Sequence, residues 1–240
     1  MFFVRFFPVG LHSVYTKTLL LVLLLNGWSL AWSQESTPTD SIDATTHLFD
    51  NYPLISKFYV RKPYNQNLIF FSSTWNQGTI LFEDGQFLEN ILINYDRMDD
   101  QLVWMRGTDF KMGIVDQRLV KGFILKKDTI GQICYFEKEE SINTWDNESF
   151  YQVLTKGFLT LRAHRKVTTH PQLQIYNRYY LTFDGVTLGF ALNRSSFISK
   201  LGAYKKEMRQ IIRKNKLQLS HNEDALIKAV ILFNERRGNQ

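Results

Sequence analysis

Cysteine is almost missing from this chain: Cys134 is the only one among 240 residues. One thiol closes no internal disulfide, so the fold rests on its apolar core alone. A catalytic thiol wants a basic, partly exposed setting, whereas Ile133-Cys134-Tyr135-Phe136 reads as the inside of a strand. The chain has no Gly-x-Ser-x-Gly elbow, no phosphate-cradling glycine loop and no Cys/His zinc spacing, which removes the commonest sequence signatures of hydrolases, nucleotide enzymes and zinc sites. His164 and His170 are too far apart to form the i, i+4 ligand pair of helical metal sites. No recognition-helix pattern suggests nucleic acid. Strands do not alternate with helices, which argues against a parallel α/β fold, and no fixed-period repeat is visible. No cofactor is implied.

Long apolar runs are also lacking, with one exception near the start. Leu19 to Leu25 follows Arg5 and Lys17, and Ala31-Trp32-Ser33 offers the small residues at which a secretory leader is cut. Residues 1–33 therefore read as a signal peptide cleaved near Ser33, with cleavage after Ala31 or a retained anchor as alternatives. The run is shorter than the roughly 20 residues needed to span a bilayer, so no transmembrane helix is expected to remain. No cysteine follows it, which excludes a bacterial lipoprotein. The expected location is the periplasm or cell envelope. Residues 34–51 are rich in Ser, Thr, Asp and Pro and read as a flexible mature start. Asp40-Ser41-Ile42 and Asp128-Thr129-Ile130 resemble O-glycosylation triplets of Bacteroidetes, and Asn147 and Asn193 begin N-glycosylation sequons that matter only in a eukaryote.

What is abundant is strand-forming sequence. Trp75 to Met105 reads as a three-stranded meander: Gly78 to Phe82, an Asp84-Gly85 turn of type I′, Phe87 to Tyr95, a second turn over Asp96 to Gln101, then Leu102 to Met105. Asn90 sits where a bulge is tolerable. Further strands are expected at Leu54–Val60, Leu68–Ser72, on both sides of Asp116-Gln117, at Gln132–Glu137, over Phe150–Leu161 and over Tyr176–Leu192. The last holds a second Asp-Gly hairpin, at Asp184-Gly185. Residues 52–195 thus form one mostly antiparallel β domain, as a meander, sandwich or open barrel. From Ser196 the period changes. Ile198, Leu201, Tyr204, Met208, Ile211 and Ile212 mark a helix face. Ser220 and Glu223 form a capping box for a second helix. Residues 196–240 read as a helical hairpin, and the fold class is α+β.

These motifs carry a resemblance. Trp75 and Gly78, the Asp84-Gly85 turn, Ile93-Asn94-Tyr95-Asp96 with Leu102, Tyr151 to Leu161 and Tyr179-Tyr180-Leu181 are together similar to an uncharacterised exported protein family of Bacteroidetes. That resemblance implies export and a β-rich fold. It implies no activity and no catalytic residue.

Charge is unevenly placed. Residues 200–240 hold ten Lys and Arg against four Asp and Glu. Lys200, Lys205, Lys206, Arg209, Arg213 and Lys216 make this end an electropositive pole. It is either a solvated helix face or the contact for an anionic envelope component or acidic protein. Arg162, His164, Arg165 and Lys166 form a second basic cluster, expected in an exposed loop, with an anion site as the alternative. Asp96, Asp99 and Asp100, and Glu137, Glu139 and Glu140, sit at predicted turns, where carboxylates serve the backbone. Trp75, Trp104 and Trp145 are candidates for a sugar or lipid cleft. The functional expectation is a non-enzymatic envelope binding or accessory protein. The alternatives are a hydrolase whose site is dispersed in sequence and a carrier of an apolar ligand in an open barrel.

Overall fold

Alternating apolar residues with turn chemistry between them build one sheet. The computed structural model describes residues 55–127, 132–139, 142, 149–169 and 172–238. The expected signal peptide (residues 1–33), the stretch 34–51, the triplets 40–42 and 128–130, Asn147, Glu140, Trp145, His47 and His170 lie outside these. The strands are β1 (Ile55–Phe58), β2 (Asn76–Phe82), β3 (Phe87–Asp96), β4 (Gln101–Met105), β5 (Met112–Val115), β6 (Val120–Lys127), β7 (Gln132–Lys138), β8 (Phe150–Thr155), β9 (Thr160–Thr168), β10 (Gln174–Phe183) and β11 (Val186–Phe190). The helices are α1 (Gln66–Ile69), α2 (Arg194–Lys200), α3 (Lys205–Lys214) and α4 (Glu223–Gly238). All neighbouring strands are antiparallel, in the order β1-β5-β4-β3-β2-β6-β7-β8-β9-β10-β11. The class is α+β, an open antiparallel sheet with helices at its C-terminal end.

The sheet is strongly curled. β3 and β8 are four strand steps apart, about 19 Å if the sheet were flat. Yet the rings of Tyr95 and Phe150 lie 6.5 Å apart. β9 lies one step further, and its Val167 N–H still donates to the Arg97 carbonyl at 3.0 Å. The curl is filled with aromatic rings: Tyr95, Phe123, Phe136 and Phe150 are fully buried, and Phe123 stacks on Phe136 at 4.7 Å. A second core lies under the helices, where Leu161, Ala163, Tyr179 and Leu181 of the sheet meet Phe197, Met208, Leu226, Val230 and Phe233. Among the described residues no helix is long and apolar enough to cross a membrane.

The meander forms as its sequence suggests. Gly78 and Ile80 face Ile91 and Leu88, so β3 carries one extra residue, and Asn90 absorbs it at φ 58°. The two Asp-Gly hairpins differ in turn type. At Asp184-Gly185 both central residues have positive φ and Phe183 pairs with Val186, as type I′ requires. At Asp84-Gly85 only Gly85 is positive, and Phe82 N–H reaches past it to the Gln86 carbonyl, which is a type I turn closed by a glycine bulge. The strand expected over Leu68–Ser72 is instead one helical turn capped by Asn65, followed by a single bridge from Phe70 to Asp96. Its apolar side chains pack without a ladder. The first C-terminal helix breaks at Gly202, φ 51°, into α2 and α3. Ser220 does not cap α4. Asn222 does, its Oδ1 accepting from Ala225 N–H at 3.0 Å, because the helix starts at Glu223, the next residue. α3 and α4 run antiparallel: Glu207 in the first turn of α3 pairs with Arg236 and Arg237 in the last turn of α4.

Candidate functional site

α2 and α3 meet at an angle set by the Gly202 break, and a groove of about 530 Å³ opens between them. Its lining is Arg194, Ser195, Ile198 and Ser199 from α2 and Lys205 and Arg209 from α3. Three cations and two hydroxyls thus surround one apolar floor residue, with no carboxylate among the described lining. The nearest acid on α3, Glu207, is turned to Arg236 at 3.4 Å and to Arg237. None of Arg194, Lys200, Lys205, Lys206, Arg209, Arg213, Lys214 and Lys216 pairs with a carboxylate among the described residues. Helical spacing explains the rest: Met208, Ile211 and Ile212 are buried in the core under the helices, which leaves Lys206, Arg209, Arg213, Lys214 and Lys216 exposed.

Of the six basic residues singled out at this pole, the groove gathers Lys205 and Arg209. Lys206, Arg213 and Lys216 extend the same positive face, and Lys200 sits half-buried at the end of α2. Arg194, Ser195 and Ser199 were missed by sequence reasoning, because only the bend at Gly202 folds α2 back toward α3.

The second basic cluster is not a loop. Arg162 to Lys166 lie within β9, where the pleat sends Arg162, His164 and Lys166 to one face and Arg165 to the other. Arg162 donates to Glu137 at 2.9 and 3.0 Å, to Thr182 at 2.8 Å, and pairs with Glu139 at 2.6 Å. Arg165 makes a two-pronged contact with Glu223 at 2.7 and 2.8 Å and donates to Gln152 at 2.7 Å. His164 Nε2 lies 2.8 Å from Asp100. Arg162 and Arg165 are thus matched inside the fold, whereas Lys166 has no carboxylate partner among the described residues. These pairs are joints rather than an open anion site: Arg165 fastens α4 to the sheet, and His164 closes the curl between β9 and the β3–β4 turn.

The acids at the turns also serve the fold. Asp96 Oδ1 accepts from Met98 N–H at 2.8 Å, while its Oδ2 takes Tyr59 OH at 2.9 Å and Lys62 at 2.6 Å. Asp100 accepts from Tyr95 OH and, at 3.2 Å, from Phe150 N–H. Burial pushes the Asp100 carboxyl up, but His164, Tyr95 and Ser149 together outweigh it and hold the group below the usual range. Burial beside Asp100 drives the Tyr95 hydroxyl well above its ordinary value. Burial, with Glu223, pushes Tyr179 up to about 12. Among the described residues no three His, Cys, Asp or Glu side chains gather as metal ligands would. Trp75 and Trp104 belong to different apolar clusters.

The chain matches no family model, no curated protein and no solved structure. Function therefore has to be argued from the groove itself.

Proposed function

We propose that this is an exported cell-envelope protein of the binding or accessory kind, which holds an anionic envelope component in the α2–α3 groove and along the positive face of α3. The observation that carries the reading is the uncompensated charge there: Arg194, Lys205 and Arg209 converge, while the one acid of α3 is consumed by α4. Guanidinium and ammonium groups beside hydroxyls suit phosphate-like or carboxylate groups. The export half of the proposal rests on the leader-like residues 1–33 and on the likeness to exported Bacteroidetes proteins. Tyr95, Phe123, Phe136 and Phe150 fill the curl, which favours this reading over a carrier of an apolar ligand.

Fractionation of the native host, with and without a high-salt wash, tests it. Protein that sediments with the envelope and is released by salt supports electrostatic attachment. Protein that stays soluble at every salt concentration, or that remains in the cytoplasm with residues 1–33 attached, overturns it.

A further inference from the structure

β10 is twice as long as its edge neighbour. It runs from Gln174 to Phe183, and β11 pairs only with Tyr179 to Phe183. Past Phe190 the chain peels away through Ala191, Leu192 and Asn193 into α2. Among the described residues no strand occupies the lane beside Gln174–Arg178, and a cleft of about 680 Å³ lies there. Its lining includes Tyr176, Asn177 and Arg178 of β10, Phe190 to Asn193, Ile142 and His221.

Register decides which backbone groups face this lane. In a two-residue hairpin Phe183 and Val186 exchange hydrogen bonds, so Phe183, Leu181 and Tyr179 point toward β11 and their alternates toward β9. The same alternation turns the N–H and C=O of Asn177 and Ile175 into the vacant lane. Among the described residues nothing bonds them on that side. A second observation points the same way: Asn177 lines the cleft, and its buried Oδ1 atom has no hydrogen-bond donor among the described residues. A buried acceptor without a donor is costly.

We propose that this lane is a strand-addition site for an extended segment of a partner protein that carries an acidic side chain. The segment continues the track of β11 and pairs its backbone with Ile175 and Asn177. Five residues, about 17 Å of strand, span the open edge. A side chain opposite Asn177 supplies the missing donor. On the other face Tyr176 offers an aromatic surface and Arg178 a fixed positive charge, with no carboxylate among the described lining residues to compete for it. Backbone pairing provides the affinity and the alternate side chains the selectivity.

The test uses the full chain and three blocked octapeptides of alternating Thr and Val. One carries a central Glu, one a central Lys, and one is the Glu peptide N-methylated at alternate backbone nitrogens. Binding is followed by fluorescence polarisation and by hydrogen exchange at the Ile175 and Asn177 amides. The Glu peptide is expected to bind and to slow exchange at both amides about tenfold or more, while the Lys and N-methylated peptides bind at least about tenfold more weakly. Ile175→Pro removes an N–H that faces only the lane, so it should retain the wild-type melting curve and lose binding. Arg178→Glu should reverse the Glu and Lys preference. Equal binding of all three peptides, or of none, overturns the proposal. So does protection of both amides without peptide: rising with protein concentration it assigns the lane to a second copy, and independent of concentration to the chain's own residues.

Discussion

Asp100 sits where the curl of the sheet closes, held by a tyrosine hydroxyl, a backbone N–H and His164. Its folded pKa is depressed, below an unfolded value of about 3.9. The stabilisation it contributes is therefore complete above that value and is lost as pH falls through the folded-state pKa. Thermal melts monitored by circular dichroism between neutral pH and about pH 2 should show a falling midpoint at the acid end. Asp100→Asn should cost about 2–3 kcal/mol at neutral pH, since it breaks a buried charged contact but keeps the residue's shape. Its midpoint should also change less on acidification, because the amide has no proton to gain. A variant with undiminished acid sensitivity would show that another carboxylate governs the seam. Asp96 was readable as a turn residue because it bonds its own backbone two residues on. The role of Asp100 was not, because its partner His164 lies 64 residues away.

At the scale of elements, α4 is positioned by its first turn. Asn222 caps it, and Glu223 is held by Arg165 and Tyr179. Asn222→Ala should lower stability by about 1 kcal/mol in urea unfolding, and Ser220→Ala should leave it unchanged. The opposite order would restore the capping box read from sequence. Glu223→Ala should cost more, about 3 kcal/mol, because it strands the buried Arg165 guanidinium. Replacing both residues, as Arg165→Met with Glu223→Leu, should recover part of that loss. The helices were legible from the spacing of Met208, Ile211 and Ile212, but the break at Gly202 was not, since glycine within an apolar period is compatible with a continuous helix. β9 was obscured by its own charges. Leu161-Arg162-Ala163-His164-Arg165 looks like surface until Glu137, Asp100 and Glu223 arrive from elsewhere to bury it.

For the whole molecule the relevant quantity is the positive pole that survives internal pairing. Charge reversal at Lys205, Lys206 and Arg209 should leave the melting midpoint nearly unchanged, because surface charges outside pairs contribute little to stability. It should also weaken sedimentation with phosphatidylglycerol vesicles at low salt by about tenfold or more, with no change on phosphatidylcholine. Unaltered binding to the anionic vesicles would remove the groove from the function. The reversal of Glu137, a carboxylate matched to Arg162 and Lys156, should instead impair folding.

By itself the sequence determined the class of fold, most of the strands, both Asp-Gly hairpins and the apolar face of the helices. These follow from local chemistry: alternation, turn residues and helical period act over a few residues and need no distant partner. It also placed an excess of positive charge in residues 200–240. Only tertiary structure decided that β3 and β9 meet, that Arg162 and Arg165 of β9 are buried in pairs, that Arg194 and the serines of α2 join Lys205 and Arg209, and that half of β10 has no strand on its outer side among the described residues. Each depends on curvature and on contacts between residues far apart in the chain. Burial turns a charge from a surface group into a joint only when its counter-charge is brought to it, and the sequence does not record that distance.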